Sequence, residues 1–330
     1  MNRPPPSRRA PALFVLLPLA MLLIPGCSGG PEAQLSPGNR TLRELMQEEL
    51  PPFEEAAPGK TPLVSEYYRD AYGEVAGASH AAGYMDAHGY RVALHLFSPR
   101  LASAGSLVVI HGYLAHTLQL AVLIEAALLE GYEVLAMELP GHALSRGERG
   151  EINEFRDYGL LLSSALDTAG ARLPQPWHAA GHSTGAAAIL IHLAELGDPF
   201  EEVVFLAPLI RSKYYGFSRF GRTLTRPFLS SLSTGYDDPL GVSRMPLAWF
   251  DAQVAWNRRN REYPGSQRSL LVLQGTGDTV VAWRRNRRYL ERRFPNMEYH
   301  RLEGAGHVIL REDPEILIPA LGQILTHLEE

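Results

Sequence analysis

The pentapeptide Gly181-His182-Ser183-Thr184-Gly185 lies between a strand-like segment that ends in WHAA and a helical segment that begins with AAAIL. A G-x-S-x-G sequence at a strand-to-helix turn exposes the serine hydroxyl above a sheet. The flanking glycines let the backbone turn sharply and the helix pack closely. A serine held in this way becomes a nucleophile once a neighbouring base accepts its proton. We therefore predict that Ser183 is a catalytic nucleophile.

An acid and then a base follow Ser183 along the chain, which is the order that such a site requires. Asp278 comes just after the apolar segment Ser269–Gln274, and His307 comes just after Met297–Leu302. The carboxyl ends of parallel strands meet at one edge of a sheet, where catalytic groups collect. We predict that His307 is the base and that Asp278 fixes its tautomer. Three other acids compete for this role but lie in a segment where turns and helix caps explain them: Asp237, Asp238 and Asp251.

An acyl-transfer site also needs two backbone N–H groups for the oxyanion. We expect one from Thr184, which follows the nucleophile, and one from Tyr113, in the loop after the apolar run SLVVI. We expect three histidines to be structural hydrogen-bonding groups: His111, His142 and His182. The single cysteine cannot form a zinc cluster alone, so the sequence predicts no metal site, and the acyl-enzyme chemistry of Ser183 requires no cofactor.

Alternating strand-like and helix-like segments from about residue 80 onward position these residues. This alternation predicts an α/β fold with a mostly parallel central sheet and helices on both faces. Ile210–Pro264 interrupts the alternation, is rich in aromatic residues and arginine and lacks strand periodicity, so we interpret it as an inserted lid. The predicted strands are Gly83–Asp86, Arg91–Phe97, Ser106–Ile110, Tyr132–Met137, Trp177–Ala180, Glu202–Leu206, Ser269–Gln274 and Met297–Leu302.

The composition excludes several other classes of protein. The 330 residues are 45% hydrophobic and 20% charged, close to the globular average, which excludes collagen, coiled coils and polytopic membrane proteins. The formal net charge of −5 argues against a dedicated nucleic-acid binder. A single cysteine cannot form an internal disulfide.

The N-terminus has the pattern of an export signal. A basic start with three arginines is followed by a short apolar stretch, Pro11–Ile24, that is too brief to span a bilayer. The stretch leads to Cys27 in a sequence that resembles a bacterial lipobox, with an ordinary signal peptide as the alternative. Lipidation of Cys27 would anchor the chain in the cell envelope, in the outer membrane of a diderm bacterium. Cleavage before Cys27 would change the formal net charge from −5 to −8, because residues 1–26 contain three basic and no acidic residues.

The segment from about Tyr90 to Ile324 resembles the α/β-hydrolases of the monoacylglycerol lipase/lysophospholipase group, often described as serine-aminopeptidase-type hydrolases. Five blocks carry the resemblance: HGYLAHT at His111–Thr117, ELPGHALSRGERGEINEFRDYG at Glu138–Gly159, GHSTG around Ser183, QGTGDTVV around Asp278 and GAGH at His307. It implies the α/β-hydrolase fold and hydrolysis of esters of lipid-like alcohols through an acyl-enzyme. Monoacylglycerol or lysophospholipid is the implied substrate.

Two arginine-rich segments have two interpretations each. The cluster of Arg284, Arg285, Arg287, Arg288, Arg292 and Arg293 is either a solvated helix face or a contact for anionic lipid headgroups. The stretch Lys213–Phe228 interleaves aromatic residues with arginines and is either lid packing or an interfacial surface.

The sequence therefore predicts a lipid-anchored serine hydrolase of the cell envelope. We expect a signal peptide at residues 1–26, a tether and short N-terminal segment at 27–60, and a hydrolase domain at 61–330 with the lid at about 210–264. One alternative is a peptidase, thioesterase or acyltransferase with the same triad. The other is a non-catalytic envelope protein that uses the fold for binding. The oligomeric state is left open.

Overall fold

The structure is a computed structural model that describes residues 41–102, 104–213, 231–233 and 238–329, with only the backbone described for 231–233. An eight-stranded sheet lies at its centre, in the order β1-β2-β4-β3-β5-β6-β9-β10. Only β2 runs against its neighbours, and the remaining pairs are parallel. The strands are β1 Ser79–Ala87, β2 Tyr90–Ser98, β3 Ser106–Ile110, β4 Glu133–Met137, β5 Trp177–His182, β6 Val203–Leu206, β7 Ser231–Ser233, β8 Arg244–Pro246, β9 Leu271–Gly275 and β10 Glu298–Leu302.

Helices connect the parallel strands, as short apolar strands joined by crossovers require. The α-helices in the described part of the chain are α1 Leu42–Glu49, α2 Pro62–Tyr67, α3 Ala121–Leu129, α4 Arg156–Ala169, α5 Thr184–Glu195, α6 Leu247–Arg259, α7 Trp283–Arg293 and α8 Pro314–Leu328. None of these helices is long and apolar enough to cross a membrane.

The sheet separates two hydrophobic cores. One core packs α4, α5, α6 and α7 against one face, and the other packs α1, α2, α3 and α8 against the opposite face. Strands β3 and β4 are buried along their whole length because helices cover both faces, which is why their sequences are continuous apolar runs rather than alternating ones. The predicted α/β-hydrolase fold is confirmed.

Residues 41–60 pack on the antiparallel end of this sheet. Met46 and Phe53 are fully buried, and the Tyr84 N–H of β1 donates to the Pro51 carbonyl over 2.7 Å. The Arg43 guanidinium donates to the Ala143 carbonyl over 2.6 Å, which connects α1 to the loop that follows β4. The division of the chain at residue 61 stays a prediction.

The predicted lid contains more regular structure than its sequence indicates. Strands β7 and β8 form an antiparallel pair within it, and α6 occupies its C-terminal part. The segment shows no strand periodicity because three-residue strands are too short to show an alternation of polar and apolar residues. The predictions for residues 1–26, for Cys27 and for most of Lys213–Phe228 lie outside the described residues.

Candidate active site

Ser183 occupies the sharp turn between β5 and α5. Its backbone has φ +52° and ψ −106°, a strained conformation for a residue that carries a Cβ. The Ser183 N–H donates to the Leu206 carbonyl of β6 over 2.9 Å, and the Leu209 N–H donates to the Ser183 carbonyl over 3.1 Å. Strand β6 and the segment that follows it therefore hold the turn by one hydrogen bond each.

The two glycines of the pentapeptide are required by close backbone packing. A Cβ at Gly185 would overlap the carbonyl oxygen of Ile110 in β3. A Cβ at Gly181 would lie 2.5 Å from the Ala186 nitrogen, closer than real Cβ atoms approach other atoms. Helix α5 can thus approach the sheet only when both positions lack side chains.

Asp278 and His307 form a buried hydrogen-bonded pair. The Nδ1 of His307 lies 2.8 Å from Oδ2 of Asp278, and Asp278 is only 3% exposed. The other carboxylate oxygen accepts from the N–H groups of Val280, at 2.7 Å, and Val281, at 3.0 Å. Burial alone would raise the pKa of Asp278, but the hydrogen bonds from His307 and the backbone outweigh it and hold this pKa below the ordinary value. Asp278 is therefore a carboxylate, and Nδ1 of His307 carries the proton that it accepts.

His182 connects the turn at Ser183 with the loop of His307. Its Nε2 lies 2.9 Å from the His307 carbonyl, and its Nδ1 lies 3.0 Å from Oε1 of Gln119. Burial and the nearby His307 lower the pKa of His182 to about 3. The residue next to the predicted nucleophile is thus a neutral, buried link to the predicted base.

The loop after β3 lies beside Ser183. A Cβ built on Gly112 would be 3.3 Å from the Cβ of Ser183. The Leu114 N–H donates to His142 Nε2, whereas the N–H groups of Tyr113 and Thr184 donate to no acceptor within the described residues. Two backbone donors next to a serine have the composition of an oxyanion hole.

The structure brings the predicted triad residues to the same edge of the sheet, since Ser183 follows β5, Asp278 follows β9 and His307 follows β10. His111, His142 and His182 are buried and hydrogen-bonded, as expected for structural histidines. Asp238 caps a turn by accepting from the N–H groups of Leu240 and Gly241. No group of His, Cys, Asp or Glu that could hold a metal occurs among the described residues.

The sequence analysis did not identify three residues that support the candidate site. Gln274 donates from Nε2 to Asp278 Oδ2 over 3.0 Å, and Gln119 accepts from the Gly112 N–H over 3.3 Å. Glu138 is fully buried and accepts from the Tyr68 hydroxyl over 2.8 Å. Only Glu138 gave a signal in the sequence, because it lies within a block that resembles the family; an isolated glutamine gives none.

The chain is similar in sequence to known proteins. Residues 102–247 match the family described as serine aminopeptidase, S33. The monoglyceride lipase of Mus musculus is 27% identical over 225 residues, which are 60% of this chain and 74% of the mouse protein.

Two solved structures share the fold. A soluble variant of the monoglyceride lipase of Saccharomyces cerevisiae superimposes with a TM-score of 0.63 at 17% identity, over 74% of this chain and 94% of the yeast chain. The monoacylglycerol lipase of Paleococcus ferrophilus gives a TM-score of 0.59 at 24% identity, over 74% of this chain and 99% of that chain.

A parallel sheet with one antiparallel strand and a strained serine turn at its carboxyl edge defines an α/β-hydrolase. Together with the match over residues 102–247, these features make the chain similar to the serine aminopeptidase-type α/β-hydrolases. These similarities indicate a serine ester hydrolase.

Proposed function

We propose that this enzyme cleaves carboxylic esters through a triad of Ser183, His307 and Asp278. The hydrogen-bonded Asp278–His307 pair, at 2.8 Å, is the observation that carries the proposal. In the neutral imidazole whose Nδ1–H donates to Asp278, Nε2 is the atom that accepts the proton that Ser183 releases.

The reaction proceeds through a covalent acyl-enzyme. The Ser183 oxygen attacks the ester carbonyl, and the resulting oxyanion accepts hydrogen bonds from the N–H groups of Tyr113 and Thr184. His307 then donates its new proton to the departing alcohol. A water molecule, deprotonated by His307, attacks the acyl-enzyme; the bond to the Ser183 oxygen breaks, His307 returns the proton to that oxygen, and the fatty acid is released.

Asp278 stabilises the transient positive charge of His307. Its lowered pKa keeps it ionised through the cycle, and its fixed contacts with Val280 and Val281 prevent it from turning away. A carboxylate that is already oriented needs no reorganisation when the imidazolium forms.

The proposed substrate is a monoacylglycerol or a lysophospholipid. The resemblance between this chain and the mouse protein named monoglyceride lipase supports an ester of a lipid-like alcohol. A lipid substrate also fits the cell-envelope location and the lipidated Cys27 that the N-terminal sequence predicts. We propose that the mature protein is located in the cell envelope and is lipidated at Cys27.

The test compares substrate classes with the full chain and with Ser183→Ala. The panel contains p-nitrophenyl esters from acetyl to palmitoyl, a monoacylglycerol, a lysophospholipid, an acyl thioester and amino-acid amides with a free N-terminus. We expect ester hydrolysis that Ser183→Ala abolishes, with lipid esters among the best substrates. A preference for amides would indicate a peptidase, and a preference for thioesters a thioesterase. A folded wild type that is as inactive as Ser183→Ala on every compound would indicate a binding protein.

A further inference from the structure

Helix α7 carries an unusual concentration of positive charge. Its eleven residues include six arginines and one glutamate, in a chain whose formal net charge is −5. The remainder of the chain is therefore strongly acidic, and α7 differs in sign from the molecule that carries it.

The buried and the exposed residues of α7 lie on different faces. The buried face presents Trp283, Asn286, Tyr289 and Leu290 to the core. Four arginines are exposed and follow the spacing of one helical stripe: Arg284, Arg285, Arg288 and Arg292. We call these four residues the α7 basic face.

Ion pairing within the described residues does not account for the α7 basic face. Its four guanidinium groups have no carboxylate partner there, and only the less exposed Arg287 pairs with Glu291, at 2.7 Å. Arg288 donates to the Arg284 carbonyl, and Arg284 lies 4.1 Å from the ring centre of its neighbour Trp283.

Helix stability accounts only for Arg292, which lies in the last turn, where the helix dipole favours a cation. Arg284 and Arg285 lie in the first turn of α7, where the helix dipole disfavours cations, and this turn contains no acidic residue. Arg288 is three or four residues from Arg285, Arg284 and Arg292, a spacing at which like charges destabilise a helix. Residues that break local rules without a compensating contact are expected at functional surfaces.

We propose that the α7 basic face binds the anionic phospholipid headgroups of a membrane. Clusters of four to eight basic residues on an amphipathic helix have this function in general. Guanidinium groups suit it because they donate two parallel hydrogen bonds to one phosphate. The acidic remainder of the chain is repelled by the same membrane, so that the charge pattern selects one orientation.

A membrane is the favoured partner because the predicted lipid anchor at Cys27 would hold the chain at a membrane. Residues 27 to 41 can span at most about 50 Å, however they are arranged. The folded part of the chain is then held near the membrane, so that its exposed faces meet the headgroups at a high effective concentration and weak electrostatic contacts suffice. This choice of partner rests on the proposed envelope location.

The α7 basic face begins near the candidate active site. Helix α7 starts five residues after Asp278, and the Ala282 N–H before it donates to the Arg211 carbonyl over 2.8 Å. Asn286 donates to the Pro208 carbonyl, so that the first turn is fixed to the segment between β6 and the lid. Docking of α7 therefore brings the catalytic edge of the sheet close to the lipid surface.

The test measures vesicle binding of the full chain on a Cys27→Ser background, which removes the acyl anchor from every sample alike. The probes are vesicles of phosphatidylcholine alone and of phosphatidylcholine with phosphatidylglycerol. Arg285, Arg288 and Arg292 are replaced together by Gln. The matched control replaces Arg69, Arg91 and Arg100, three exposed arginines elsewhere, by Gln and so changes the net charge equally.

We expect the α7 triple variant to bind phosphatidylglycerol vesicles about 100-fold more weakly than the control at low salt. The difference should disappear at high salt and on neutral vesicles. Equal binding by the two triple variants would overturn the proposal. A wild type that does not bind anionic vesicles but binds polyglutamate through the same arginines would overturn the proposal and would indicate an acidic protein partner.

Hydrolysis is measured in the same samples to separate this proposal from the proposed function. We expect the α7 triple variant to match the control on soluble p-nitrophenyl acetate, and to be slower only on a lipid ester in anionic vesicles. A wild type that hydrolyses no ester would contradict the proposed function, whereas vesicle binding still tests the α7 basic face.

Discussion

The Nδ1 of His307 lies 2.8 Å from Oδ2 of Asp278, although the two residues follow different strands and are 29 positions apart. The parallel pairing of β9 with β10 brings the two loops together, with Leu302 opposite Gly275. A proton held between these atoms fixes the imidazole in the tautomer that can accept a proton from Ser183.

Replacement of Asp278 by Asn tests this relationship. The amide preserves the size of the side chain but can donate to Nδ1, which favours the wrong tautomer of His307. We expect kcat for ester hydrolysis to fall about 10³–10⁴-fold. The control is Asp167→Asn, which neutralises an exposed carboxylate on α4 and should leave kcat unchanged. If Asp278→Asn retains kcat, Asp278 does not orient the base.

Acid should destabilise the fold through its buried neutral histidines. His142 accepts from the Leu114 N–H at Nε2 and contacts the Pro140 carbonyl through Nδ1. Burial lowers the pKa of His142 to about 3, and burial lowers the pKa of His95 to about 4. In the unfolded chain these histidines become protonated near pH 6.5, whereas in the folded chain they stay neutral to a lower pH. The free energy of unfolding is therefore retained above pH 6.5 and falls as the pH falls below it.

Urea denaturation at pH 7.5 and pH 5 measures this effect. The free energy of unfolding should fall by about 2 kcal/mol for each such histidine. His142→Asn should be less stable at pH 7.5 but lose less stability between the two pH values. The exposed His88→Asn should behave like the wild type. A pH dependence that is identical in His142→Asn and the wild type would contradict the assignment.

Gly185→Ala tests the close approach of α5 to β3. The added methyl group would overlap the Ile110 carbonyl, and backbone cannot move aside as a flexible side chain can. We expect a loss of about 1–3 kcal/mol in the free energy of unfolding, together with reduced activity, because the turn at Ser183 must shift. Gly322→Ala is the matched control, since nothing lies within 4 Å of its Cβ and alanine favours the helix by about 0.5–1 kcal/mol. Equal stability of the two variants would show that α5 has room at Gly185.

Glu138→Ala tests the buried carboxylate beneath the loop after β3. Burial raises the pKa of Glu138, but the facing His111, 2.8 Å away, outweighs it and holds this pKa far below its usual range. Removing the carboxylate leaves partners unsatisfied in the core, so the free energy of unfolding should fall by about 3–5 kcal/mol. Tyr68→Phe should cost about 1–3 kcal/mol.

The double variant of Glu138 and Tyr68 should cost less than the two single variants added together, because they share one hydrogen bond. The exposed Glu130→Ala should change stability by less than about 0.5 kcal/mol. A Glu138→Ala variant as stable as Glu130→Ala would contradict a structural role for this carboxylate.

Local sequence patterns predicted most of the fold and the residues of the candidate site. Ser106–Ile110 was predicted with its observed bounds because a fully buried strand is a continuous apolar run. The turn at Ser183 was predictable because only glycine fits at Gly181 and Gly185. These features depend on a few adjacent residues, and each leaves a pattern in the sequence.

The contacts that support the site could not be predicted in this way. Tyr68 and Glu138 are 70 positions apart, and neither residue type indicates its partner. Gln119 bonds to His182, 63 positions away, only because β3 and β5 are neighbours in the sheet. Such pairs depend on strand order, which a single sequence does not fix.

Covalent labelling of the full chain with a fluorophosphonate tests the central claim most directly. The probe reacts with an activated serine, and mass spectrometry of the digested protein locates the adduct. We predict one adduct, on Ser183, that is absent from Ser183→Ala and from the denatured wild type. A folded wild type without an adduct, or with its adduct on a different residue, would contradict the assignment of Ser183 as the nucleophile.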